Sequence, residues 1–116
     1  MSTNYYAFGP FPGGEASGEG IHIGQRASVH RFLLRAHPDL GLTSFAAWKE
    51  LLFRLDVTIR AESGYEVSAQ EMGMTIVERT DARGWPRKAR FGIRGATRPG
   101  EIVDAEGYEL YDGEFF

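Results

Sequence analysis

The chain contains no cysteine. That absence excludes disulfide cross-links, thiolate metal sites and a cysteine nucleophile together. It also has no apolar run near the roughly 20 residues that a membrane helix requires. The N-terminus, MSTNYYAFGPFPGG, shows neither the basic start nor the apolar core of a secretory signal. A soluble, cytoplasmic protein with no membrane partner is the expectation. Enzyme signatures are missing as well. The glycine-rich GGEASGEG lacks the closing Gly-Lys-Ser/Thr of a phosphate loop, and it precedes a strand pattern where such a loop opens a helix. No strand–nucleophile–helix elbow occurs. Carboxylates are plentiful, yet none stands in a context that would shift its ionisation. No catalytic residue, metal or cofactor is expected.

What is present is enough for one domain spanning residues 1–116. A chain of this length buries about two thirds of its unfolded surface, and 42% hydrophobic with 13% aromatic residues supplies the material for a core. Residues 4–8, NYYAF, read as a first strand, and residues 9–20, with five glycines and two prolines, as a mobile loop. IHIG (21–24) and HRFLLRA (30–36) alternate apolar and polar positions, which predicts a hairpin around QRASV. Ile21, Ile23, Phe32 and Leu34 then share one face, and His22, Arg31, Leu33 and Arg35 the other. A helix is predicted over about 44–55, with Phe45, Trp48, Leu52 and Leu55 in one stripe and Thr43 or Ser44 as cap. VTIRAE (57–62) reads as a strand, followed by a turn at SGY. Ser68 and Glu71 have the spacing of a capping box opening a second helix, with Ala69, Met72 and Ile76 on its inner stripe and Gly73 weakening it by about 1 kcal/mol. Residues 89–95 read as a strand, and 101–116 as a hairpin turning at AEG. This order predicts an α+β fold, a small and largely antiparallel sheet with two helices packed on one face.

Charge is segregated near the C-terminus. Residues 79–98 carry seven Arg or Lys and one Asp, whereas 101–116 carry six Asp or Glu and no basic residue. Opposed blocks of this kind pair across neighbouring strands or form faces for a partner. In the acidic block Asp104, Glu106, Glu109, Asp112 and Glu114 alternate with apolar residues, as on one continuous strand face that a basic groove would accept. The bland alternative is a solvated edge that discourages strand aggregation. In the basic block Arg83, Trp85, Arg87, Lys88, Arg90 and Arg94 interleave cations with aromatics, a pattern suited to phosphates and stacked bases. Its bland alternative is a charged linker with Trp85 as a core plug.

All three histidines, His22, His30 and His37, lie within EGIHIGQRASVHRFLLRAH (19–37). A site built from them requires convergence. Alternation sends His22 away from Ile21 and Ile23, puts His30 on the side of Phe32 and Leu34, and leaves His37 in a loop before Pro38. A histidine metal centre is therefore not expected. His22 and Arg35, which share a face, are the candidates for a binding pocket.

Several segments are similar to a family of small phage and prophage proteins: NYY, HIG before a short turn, DLGLTSFAAWKELL and TIRAESGYEVSAQEM. The resemblance covers residues 4–79 and leaves 80–116 as an extra strand and acidic hairpin. It implies tyrosines, a Cys-x-x-Cys knuckle, a HIGKSSAGW-type hairpin whose second strand ends in histidine, a tryptophan-bearing helix, and a strand–turn–helix. Two cysteines and two histidines in that pattern suit a zinc ribbon. This chain has GPFPGGEASG where the cysteines stand, Arg35 where the second histidine stands, Gln25 for the lysine and His30 for the tryptophan. Of the implied ligand set His22 alone is kept, so the resemblance implies a relative without its zinc.

The functional expectation is a phage- or prophage-type accessory protein that acts by binding, through the acidic hairpin, to a host or bacterial-defence protein as inhibitor or modulator. The alternative is a nucleic-acid-binding module using residues 83–98. A third class is a small hydrolase or nucleotide-binding protein centred on His22 and Arg35.

Overall fold

Alternating aromatic and small residues at the N-terminus form the middle of the sheet. In the computed structural model, which describes residues 2–15, 17–27, 31–80 and 101–112, strand β1 spans Ser2–Phe8 and pairs antiparallel with β2 (Ile21–Ala27) and with β4 (Thr58–Ala61). Strand β3 (Leu33–Arg35) adds to β2, and the short β5 (Glu66–Val67) adds to β4. The C-terminal strands β6 (Glu101–Val103) and β7 (Glu109–Tyr111) form a hairpin whose β7 runs parallel to β3. The order β5-β4-β1-β2-β3-β7-β6 makes one seven-stranded sheet, antiparallel at every junction but one. With helices α1 (Phe45–Leu52) and α2 (Ala69–Glu78), the fold is α+β and mostly antiparallel.

Both helices pack into the same core. Phe45, Trp48 and Leu52 of α1 and Met72 and Ile76 of α2 join Ile21, Ile23, Phe32, Leu34, Ile59, Val67 and Leu110 in one cluster. Trp48 is 0% exposed, and its indole N–H donates to the Arg35 carbonyl at 2.7 Å, so the largest core side chain also satisfies its polar atom. The Ser44 hydroxyl accepts from the Ala47 N–H and the Ser68 hydroxyl from the Glu71 N–H, each at 3.0 Å, so both serines cap their helices as their spacing predicts. No helix among the described residues is long and apolar enough to cross a membrane.

Four elements differ from the sequence reading. Strand β2 runs on through Gln25, Arg26 and Ala27, where a turn around QRASV was expected. Helix α1 stops at Leu52, so Leu55 lies outside the stripe and is fully exposed. There Arg54 turns back on Asp56 in a two-pronged ion pair at 3.0 and 2.7 Å, and its guanidinium holds the Asp56 carboxyl below the usual range. A carboxyl lowered in this way stabilises at neutral pH, and its contribution is lost as acid brings the pH down through the lowered value. Both partners stand in solvent, which keeps that contribution small. The turn after β4 is a hairpin, with Ile59 opposite Val67. The glycine-rich loop, expected to be mobile, closes on itself at its start. Gly9 N–H donates to Gly14 O at 2.8 Å and Gly14 N–H to Phe11 O at 2.9 Å, and the Phe11 ring fills the space where a Gly14 side chain would go.

A polar cleft on the helix-free face

The inner face of the sheet carries the core, and the outer face of β1, β2 and β3 carries a cleft of about 570 Å³. Asn4, Tyr6, His22, Gln25 and Arg35 form its floor. Pro12, Gly13, Glu19 and Gly20 come from the glycine-rich loop, and His37, Asp39 and Leu40 from the segment after β3. Strict alternation along β2 would send Gln25 to the core with Ile21 and Ile23. A β-bulge prevents this. Tyr5 pairs with Gly24 and Tyr6 with His22, so Ile23 is the extra residue and the alternation reverses after it. Gly24 thereby faces the core, where a β-carbon would lie 2.6 Å from the Phe32 ring and 2.3 Å from the Leu33 carbonyl oxygen. Only glycine fits that approach. Gln25 is turned to the outer face beside His22.

Hydrogen bonds fix the floor. His22 Nε2 lies 2.8 Å from Asn4 Oδ1, and Arg35 donates to His22 Nδ1 at 3.3 Å. A guanidinium cannot accept, so Nδ1 is the acceptor and Nε2 carries the proton. The His22 ring packs on Tyr6 with centroids 5.2 Å apart. His37 donates from Nε2 to the His22 carbonyl oxygen at 2.8 Å and meets the Trp48 ring edge-on. Two of the histidines expected to diverge therefore line one cleft, because the turn at Pro38–Leu40 folds His37 back over β2. Arg35 bonds the His22 ring directly. Among the described residues there is no group of three or more His, Cys, Asp or Glu able to hold a metal ion. His30 lies outside the described residues.

Gln25 is among the residues that sequence reasoning missed. It is 4% exposed and lines the cleft. The only sequence signal was the glycine before it, which marks bulges as well as turns.

The acidic hairpin differs from the face expected of it. Asp104 turns inward. Its Oδ1 accepts from the Glu106 and Tyr108 N–H groups at 3.0 and 2.9 Å, and its Oδ2 accepts from the Phe45 N–H at 2.8 Å, on the first residue of α1. One carboxylate thus shapes the turn and answers an orphan donor at a helix N-terminus. Glu109 is 6% exposed, with Oε1 3.5 Å from both Arg31 Nε and Arg79 Nε. Arg31 also reaches Glu101 and the Tyr111 hydroxyl, and the Arg79 guanidinium lies 4.8 Å above the Tyr108 ring. Two members of the array expected to greet a partner are thus taken up inside the fold, Asp104 by backbone N–H groups and Glu109 by cations. Glu106 and Asp112 remain exposed, and Glu114 lies outside the described residues. So does the basic segment with Arg83, Trp85, Arg87, Lys88, Arg90 and Arg94, together with the strand expected over 89–95.

Comparison of the chain with protein-family models, with curated proteins and with solved structures finds no match.

Proposed function

We infer that the protein acts by binding, as an accessory protein of the phage or prophage type, and that its recognition site is the cleft over β1, β2 and β3. The observation that carries this reading is the convergence of Asn4, Tyr6, His22, Gln25 and Arg35 from three strands on the helix-free face. A volume near 570 Å³ lies within the range of about 300–1,000 Å³ in which small-ligand sites fall. The floor is held by its own hydrogen bonds before any ligand arrives, which lowers the ordering cost of binding. Its two imidazoles have their Nε2 protons committed to protein acceptors, so the lining is better suited to recognition than to proton transfer. The acidic hairpin is a weaker recognition element, because Asp104 and Glu109 hold the fold together.

The test is capture from a deproteinised bacterial extract. The full chain is incubated with the extract, separated by size, denatured, and its released small molecules identified by mass spectrometry. A stoichiometric molecule retained by the wild type and lost from a folded His37→Phe variant supports the reading. Failure to retain any molecule, or equal retention by the variant, refutes it.

A further inference from the structure

We propose that the cleft takes an uncharged nucleoside, a base with its ribose but without phosphate, an assignment that rests on the cleft being the binding site. Three features of the lining point to this class. The first is Gln25, a carboxamide residue only 4% exposed that lines the cleft. A carboxamide offers one acceptor beside a donor, which matches the adjacent donor and acceptor on a nucleobase edge. The second is the Tyr6–His22 ring pair, tilted by only 32°, which supplies an aromatic surface beside that carboxamide. A base with a flat π-face stacks on such a surface whatever its identity.

The third feature is the sign of the rim. Glu19 stands on one wall and Asp39 on the other, both exposed at the mouth. Carboxylates in that position accept hydrogen bonds from ribose hydroxyls. They also repel a phosphate entering with the sugar. The guanidinium nearest the floor, Arg35, already donates to His22. Base inward, ribose at the rim and phosphate excluded is the arrangement these groups favour. A free sugar would satisfy the rim and leave the Gln25 carboxamide and the ring pair with less to recognise.

Isothermal titration of the full chain with uridine, adenosine, their 5′-monophosphates and glucose tests this. At least one nucleoside should bind saturably and about ten-fold or more tighter than its own monophosphate, a difference of about 1.4 kcal/mol. Gln25→Leu should weaken that binding by about ten-fold. Exposed positions carry the second variant: Glu19→Gln with Asp39→Asn should narrow the discrimination against monophosphate while the melting temperature holds. No saturable nucleoside binding, a monophosphate bound as tightly, or glucose bound as well as the nucleoside would overturn the assignment. Should Gln25→Leu fail to fold, the rim variant decides: unchanged discrimination overturns the assignment and narrowed discrimination upholds it. If nucleosides fail while the extract still yields a retained molecule, the ligand class is wrong and the cleft reading stands. If the extract yields nothing either, both fall.

Discussion

The protonation of His22 follows from its neighbours. Arg35 has only donors to offer, so its bond to Nδ1 leaves the ring proton on Nε2, facing Asn4 Oδ1. Nitrogen-15 NMR of the histidine side chains should show His22 as the neutral Nε2–H tautomer near neutral pH. A dominant Nδ1–H form would mean that Arg35 does not donate there and that the floor of the cleft is arranged differently. Glu109 makes a second case at this scale. Its carboxylate is shared by Arg31 and Arg79, and its Oε2 is buried without a hydrogen-bond partner among the described residues. Replacing it by alanine removes the buried carboxylate that Arg31 and Arg79 share, a loss of about 3–5 kcal/mol. Asp112, exposed at the end of β7, should tolerate lysine within about 0.5 kcal/mol. Chemical denaturation of Glu109→Ala and Asp112→Lys checks both. Equal stability of the two variants would contradict the inward role of Glu109.

Among the elements, α2 carries an unused margin. Gly73 sits mid-helix, and a β-carbon there would lie 3.7 Å from the Phe53 ring, an ordinary contact. Gly73→Ala should therefore raise stability by about 0.5–1 kcal/mol in urea unfolding, and a loss of stability would show that α2 packs more tightly against Phe53. Arg79 closes the same helix in the left-handed region at φ 52, a conformation that glycine adopts more readily. Its side chain reaches Glu109 and the Gly107 carbonyl oxygen, contacts that offset the strain and tie the helix end to the hairpin. The elements that could be read from the sequence were those with a local cause. The serine caps, the stripe through Phe45, Trp48 and Leu52, and the shared face of Ile21, Ile23, Phe32 and Leu34 each follow from spacing within a few residues. The bulge at Ile23 could not be read in this way, since it depends on where β1 sits beside β2. The return of His37 over β2 and the burial of Glu109 between two arginines are likewise products of packing. His22 and Arg35 could be paired by alternation, whereas Gln25 and His37 required the fold.

At the scale of the whole molecule, one sheet separates two kinds of chemistry. Its inner face holds the helices and the apolar cluster, and its outer face over β1, β2 and β3 holds the cleft. The C-terminal hairpin extends that sheet by the parallel pairing of β7 with β3, and its Glu101, Asp104 and Glu109 carboxylates anchor it to Arg31, Arg79 and the start of α1. Stability and recognition thus draw on different polar residues, with Asp104 and Glu109 joining the hairpin to the core and Asn4, His22, Gln25 and Arg35 lining the cleft. The most direct check is a proton–nitrogen correlation spectrum of the full chain, recorded as a deproteinised bacterial extract is added. Shifts should concentrate at the amides of Asn4, Gly13, Gly20 and His22 and at the side-chain carboxamide of Gln25. A spectrum that does not change, or one that changes at Glu106 and Asp112 while the cleft stays silent, would contradict a recognition site on the outer face of the sheet.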